Sequence, residues 1–430
     1  MVAAVLHQGR HRRSLPVLEH SFDPRRNSFA LLRLVFAGMV LLDHAFPLGG
    51  WNEPSAGLHL RAESFGGLAV LGFFVISGFL VTRSFVGSRN GVSYVWKRFL
   101  RIFPGFWVCL IVTAVLIGPI AFVYEHGTLH GYVRGYGDSP INYVTHNALL
   151  SMNQYGIDGL LGKNSFPHAF DGSLWTLIYE FKCYLGVLAL GVFGVFRRGR
   201  LGVLALSAAL WGLQLQQSLD PTFLKGVFVL GDPYMVRLAF IFSLGMLFYL
   251  YRDRVIVSGP LAAAALVMFI VSLKTPLYYG IGEVMWAYLC IWAAVRLPFH
   301  GADRYGDFSY GLYIYAFVVQ QMLALYGITR WGYVPYVVLS LMGTTLLAVA
   351  SWFAVERPCM RLKGFRLPRR HPRWDAAGCS DLPAKDMPGG RDLGGSAPAW
   401  PPGISTVPSS SAFGAPGTDA EPARTPRAAP

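Results

Sequence analysis

The sequence predicts an all-α integral membrane protein, a bundle of about ten transmembrane helices. Three observations predict it. Of 430 residues, 53% are hydrophobic and only 14% are charged, whereas a soluble globular chain carries about 25% charge. The apolar residues gather into runs near the roughly 17–25 residues that a helix needs to cross a bilayer, and mean hydropathy is +0.42. The formal charge of +14 sits in small clusters between these runs. It forms no basic arm or face, which argues against nucleic acid as a partner.

Taken in order, the predicted spans cover 30–48, 66–82, 104–124, 174–196, 201–217, 235–251, 255–273, 280–296, 308–326 and 333–354. The fifth and eighth are among the shortest. Residues 1–29 are a basic leader without the apolar stretch of a cleavable signal. Lys and Arg flanking alternate ends of the ten spans divide 24 to 6, and the positive-inside rule then places both termini in the cytoplasm. Residues 30–361 read as one membrane domain, and 374–430 as a disordered tail rich in Pro, Ala, Gly and Ser. The five cysteines (Cys109, Cys183, Cys290, Cys359, Cys379) show neither disulfide nor zinc spacing.

The longest connection, 125–173, lies on the outer side and carries Tyr132, Tyr136, Tyr143, His146, Tyr155, Phe166 and His168. Its aromatic rings suit either sugar stacking or an interfacial belt. Glu125, His126 and His130 do not have the order of a zinc motif, so no metal is expected.

Ionisable residues inside spans are costly in lipid and tend to face a partner or cavity. Arg33 and His44 stand eleven residues apart in the first span. At 100° per residue they return to within about 20° of one face, separated by ~16 Å along the axis. Arg33 then lies near the inner surface and His44 in the outer half. A guanidinium at that mouth suits phosphate binding, and a deeper imidazole suits proton transfer. A snorkelling arginine and a packing histidine are the plain alternative.

Further motifs follow: GFFVISGFLVTRS (72–84), KRFLRIFP (97–104), GSLWTLIYEFKCY (172–184), FSYGLYIYAF (308–317) and VERP (355–358). In this order and spacing the chain resembles the acyltransferase 3 family of integral-membrane acyltransferases, over about residues 27–361. The resemblance implies a multi-pass enzyme of the inner (plasma) membrane. It implies transfer of an acyl group, usually acetyl, from cytoplasmic acetyl-CoA or another acyl-CoA. The acceptor is a hydroxyl of a sugar, glycan or small glycosylated molecule. The family's Arg-x10-His motif falls on Arg33 and His44, its Arg-x-x-Arg on Arg98 and Arg101, its Ser-Gly on Ser77 and Gly78, and its acidic positions on Glu180 and Glu356. By that resemblance Arg33, Arg98, Arg101 and Ser77 hold the donor, while His44 acts as general base or carries the acyl group. Glu180 lies ~9 Å inside the outer edge and His44 ~6 Å inside it, so the carboxylate is expected to orient the imidazole. Positive-inside anchoring of the arginines and a Glu180–Lys182 pair are the alternatives.

Two departures stand out: Asp43 beside His44, where the family usually has an aromatic or apolar residue, and Ala316, where many members carry histidine. Two rival functions use the same residues. One is a proton-coupled transporter or flippase of a glycan or acylated lipid, with His44 and Glu180 as relay; the other is an assembly subunit.

Overall fold

A computed structural model describes residues 16–53, 63–88, 90–134, 138–220, 222–227, 229–302 and 304–364. Their regular elements are all helices; among them there is no strand, only isolated bridges Val17–Ile256 and Asp23–Arg26. The expected tail, 374–430, and the first part of the leader lie outside the described residues. After a short α1 (Leu18–Ser21), the long helices are α2 (Phe29–Gly49), α3 (Phe65–Val86) and α4 (Gly91–Val112). Helix α4 continues through a π turn (Thr113–Ile117) into α5 (Gly118–His126). Next come α6 (Pro140–Asn147), α7 (Leu177–Val192), α8 (Val195–Arg198), α9 (Leu201–Leu219), α10 (Pro233–Leu250), α11 (Gly259–Ser272) and α12 (Gly282–Arg296). The last are α13 (Ser309–Leu325), α14 (Tyr333–Ser351), a π turn (Trp352–Glu356) and α15 (Arg357–Arg361).

Each of the ten apolar segments is helical, and six of the resulting helices are long and apolar enough to cross a membrane by themselves. Boundaries follow local capping chemistry. The Ser64, Asn90, Ser139 and Ser258 side chains each accept from a backbone N–H in the first turn of the helix they start, satisfying donors that lipid could not. Asp232 does the same for α10, with Pro233 at its first position.

Two expectations about connections change. The 97–101 basic cluster sits on helix α4, not on a loop. Asn90 starts that helix well before Pro104, which is accommodated in its interior. The described residues of the 127–173 segment, which leave out 135–137 and so Tyr136, form a packed cap in which Tyr132, Tyr143, Leu150, Ile157, Leu161 and Phe170 are buried. Tyr143 and Thr113 donate to one oxygen of Asp171 (2.6 and 3.1 Å), and burial pushes the Asp171 carboxyl up to about 7. Two of the rings suited to sugar stacking or an interfacial belt are therefore core; Tyr155 and Phe166 remain exposed.

Helices α3 and α10 cross at Gly78 and Gly245. A Cβ on either would strike the other helix's backbone, at the Phe242 and Val75 carbonyls respectively. Such close approach is how helices associate where the surrounding lipid is as apolar as they are. Arg237 of α10 pairs with Glu63 and with Glu283 of α12 (2.7 Å), and Gln214 of α9 donates to Glu283 (2.5 Å). The pairing is buried, with the Glu283 side chain fully enclosed.

Candidate active site

The start of α2 and the end of the 297–308 connection meet α4 at one carboxylate. Arg33 Nη1 and Arg101 Nη2 both reach Asp307 Oδ2, at 2.8 and 2.5 Å, and the Ser309 hydroxyl donates to Asp307 Oδ1 (2.6 Å). Burial alone would raise the Asp307 carboxyl. The Arg101 and Arg33 guanidiniums outweigh it and hold that group well below the usual carboxylate range. One negative charge thus aligns two positive ones.

These residues line a cavity of about 420 Å³. Its cations are Arg33, Lys97, Arg98, Arg101 and Lys363, and its carboxylates are Glu180 and Asp307, so positive charge is in excess. Arg98 donates to Ser84 (3.2 Å) and stacks over Tyr184 (5.7 Å), and its Nε is buried without a partner among the described residues. A buried N–H left unpaired carries a desolvation cost that an incoming acceptor would relieve.

Along α3 the lining runs from Val81 to Val70, ~16 Å at 1.5 Å per residue. The character changes on the way. The middle carries Ser77, whose hydroxyl donates to Glu180 Oε1 (2.6 Å); Tyr184 donates to the same oxygen (2.5 Å). Beyond them the walls are Val70, Phe73, Leu177 and Tyr313 with the Thr176 hydroxyl. A polar mouth therefore leads into an apolar neck.

The neck ends on aromatic rings. Phe73 meets Tyr313 edge-on (5.8 Å between centroids) and Phe36 likewise (5.6 Å). One turn beyond Tyr313, Phe317 packs edge-on against His44 (5.3 Å). Among the described residues His44 Nδ1 is buried without a hydrogen-bond partner. His44 is not among the cavity-lining residues; Phe317, which packs on it, stands one turn beyond the lining residue Tyr313.

Five of the six expected site residues, Arg33, Ser77, Arg98, Arg101 and Glu180, thus meet in one cavity, with His44 beyond its apolar end. The expected Glu180–His44 partnership does not form: among the described residues the hydrogen-bond partners of that carboxylate are Ser77 and Tyr184. The expected depth takes Leu174 as the outer surface. Instead Asp171, Ser173 and Leu174 are already buried beneath the cap, so the helix begins deep and Glu180 descends toward the basic end. Nor does Glu180 form an ion pair with Lys182, whose ammonium lies over Tyr179 (5.2 Å). Asp43 turns away from His44 and accepts from Ser64 (2.9 Å). Glu356 is buried in the second π turn with Ser351 on one oxygen and nothing on the other. Asp307, Lys97 and Lys363 were missed. In sequence the two lysines carry no signal beyond ordinary membrane anchoring, and the only signal for Asp307 is its place two residues before the Ser-Tyr of FSYGLYIYAF (308–317).

Residues 26–353 match the family described as an acyltransferase domain. Two relatives align over almost their whole length. An O-acetyl transferase of Shigella phage Sf6 is 30% identical over 349 residues, covering 77% of this chain and 96% of that protein. Nodulation protein 10 of Rhizobium leguminosarum bv. viciae is 29% identical over 382 residues, covering 83% and 98%. No solved structure matches. With a matched region that spans α2 to α14, His44 and all of the cavity lining but Met360 and Lys363, the chain belongs to the acyltransferase 3 family and is a membrane acyltransferase, with an O-acetyl transferase among its relatives.

Proposed function

We propose that the protein is an O-acetyltransferase of the inner (plasma) membrane, taking its acyl group from cytoplasmic acetyl-CoA and giving it to a sugar or glycan hydroxyl on the far side. In this reading all ten helices span and both termini are cytoplasmic. The observation that carries it is the graded cavity, with five cations at one end and an apolar neck at the other. The cations suit the phosphates of a CoA, which accept charge-assisted hydrogen bonds. The neck suits its uncharged arm, and Arg98 Nε offers a donor still unclaimed. The name of the phage relative supports acetyl and an oxygen acceptor.

His44 is the base, or the transient carrier, at the far end. As base it takes the proton of the acceptor hydroxyl. The oxygen then attacks the thioester carbonyl, the carbon–sulfur bond breaks, and the departing thiolate is protonated to give free CoA. Glu180, displaced from that role, keeps Ser77 and Tyr184 aligned in the cavity wall.

Purified protein given labelled acetyl-CoA and candidate glycans is expected to release CoA and label the glycan. His44→Ala is expected to lower that rate by about 10²–10⁴-fold while leaving CoA binding intact. Wild-type protein that moves substrate but releases no CoA with any acceptor would overturn the reading in favour of a transporter.

A further inference from the structure

The donor cavity does not simply fade out at its apolar end. Tyr313 lines that end together with Val70, Phe73 and Thr176. Tyr313 is 6% exposed, and its hydroxyl is held twice: it shares a 2.5 Å hydrogen bond with Thr176 and donates to the Ser173 carbonyl (2.7 Å). The Ser173 hydroxyl returns a bond to the Tyr313 carbonyl (3.3 Å). The ring face is fixed by Phe73, itself braced by Phe36. Behind it, Phe317 is wedged between His44, Phe166 and the bare backbone of Gly172, where a Cβ would collide with the ring. A side chain locked by hydrogen bonds and backed by close packing does not yield to an extra methylene, because interiors are packed like crystals.

We infer that Tyr313 is a specificity-determining residue that limits the donor to a short acyl group. This rests on the reading of the cavity as an acyl-CoA site. The phosphates fix the donor at the basic mouth, so chain length is read at the opposite end. There an acetyl group stops short of the ring, and a longer chain must push into it.

Displacement of labelled acetyl-CoA from the detergent-purified full chain tests this without needing the acceptor. The competitors are acetyl-, butyryl- and hexanoyl-CoA. Wild type is expected to bind hexanoyl-CoA at least about 10-fold more weakly than acetyl-CoA, the discrimination a methylene-scale misfit produces. Tyr313→Ala removes the wall and brings the two near parity, whereas Tyr313→Phe keeps the ring and keeps the wild-type ratio. Tyr313→Leu, which fills part of the space, gives an intermediate ratio and serves where the alanine variant does not fold. A wild type that binds all chain lengths equally would overturn the inference. So would an alanine or leucine variant that still binds acetyl-CoA with undiminished discrimination. Wild type that binds no acyl-CoA at all would instead overturn the donor site itself, and this inference with it.

Discussion

Asp307→Ala is expected to cost about 3–5 kcal/mol of stability, the loss typical when one partner of a buried ionic group is removed. The reason is geometric. Arg33 and Arg101 reach the same oxygen of that carboxylate, with side chains 24% and 14% exposed; without it two guanidiniums face each other with little water to screen them. Heating the detergent-purified protein and following the folded fraction measures the loss. The same experiment separates a binding mouth from a structural clasp. Inorganic pyrophosphate is an anion that can stand between two guanidiniums, and a ligand bound only by the folded state stabilises in proportion to its occupancy. It is therefore expected to restore much of the lost stability in the alanine variant. An alanine variant as stable as wild type, or one indifferent to pyrophosphate, would contradict this account of the mouth.

Gly78→Ala and Gly245→Ala are each expected to cost more than the ~1–3 kcal/mol of ordinary overpacking. The added methyl meets a carbonyl of the neighbouring helix in both cases, not a flexible side chain. Helices α3 and α10 must separate, and Ser77, adjacent to Gly78, leaves its place beside Glu180. Loss of donor affinity is expected to accompany loss of stability. The two substitutions act on one contact, so the double variant falls well short of the sum of the singles. Gly38→Ala is the control. Nothing lies within 4 Å of where its Cβ would be, and alanine is the better helix former, so that variant is expected to be neutral or slightly more stable. Equal behaviour of Gly38 and Gly78 variants would refute the close-crossing argument.

Much of the fold is legible because bilayer helices are long apolar runs: the described residues are helical without a strand, and six helices are long and apolar enough to cross a membrane. Their ends are less legible. Polar capping decides them, as at Asn90, whose side chain starts α4 far upstream of the apolar stretch. Arg33, Ser77, Arg98, Arg101 and Glu180 were found by motif, and the fold brings them into one cavity. What failed was depth. A straight count along the 174–196 segment assumes that it begins at the surface, and the cap of buried Phe170, Asp171 and Leu174 moves that starting point inward. Asp307 escaped notice for a related reason. It sits in a short connection, where a lone acidic residue carries no periodic signal, and only tertiary structure sets it between two arginines from distant helices.

Cryo-electron microscopy of the protein in lipid nanodiscs with bound CoA would test most directly whether one corridor joins the basic mouth to the His44 end. The expected density has phosphates within hydrogen-bond reach of Arg33, Arg98 and Arg101 and the thiol end in the neck below Tyr313. A nucleotide lodged at the opposite end of the bundle, or an arm leading away from Tyr313 and His44, would contradict the account.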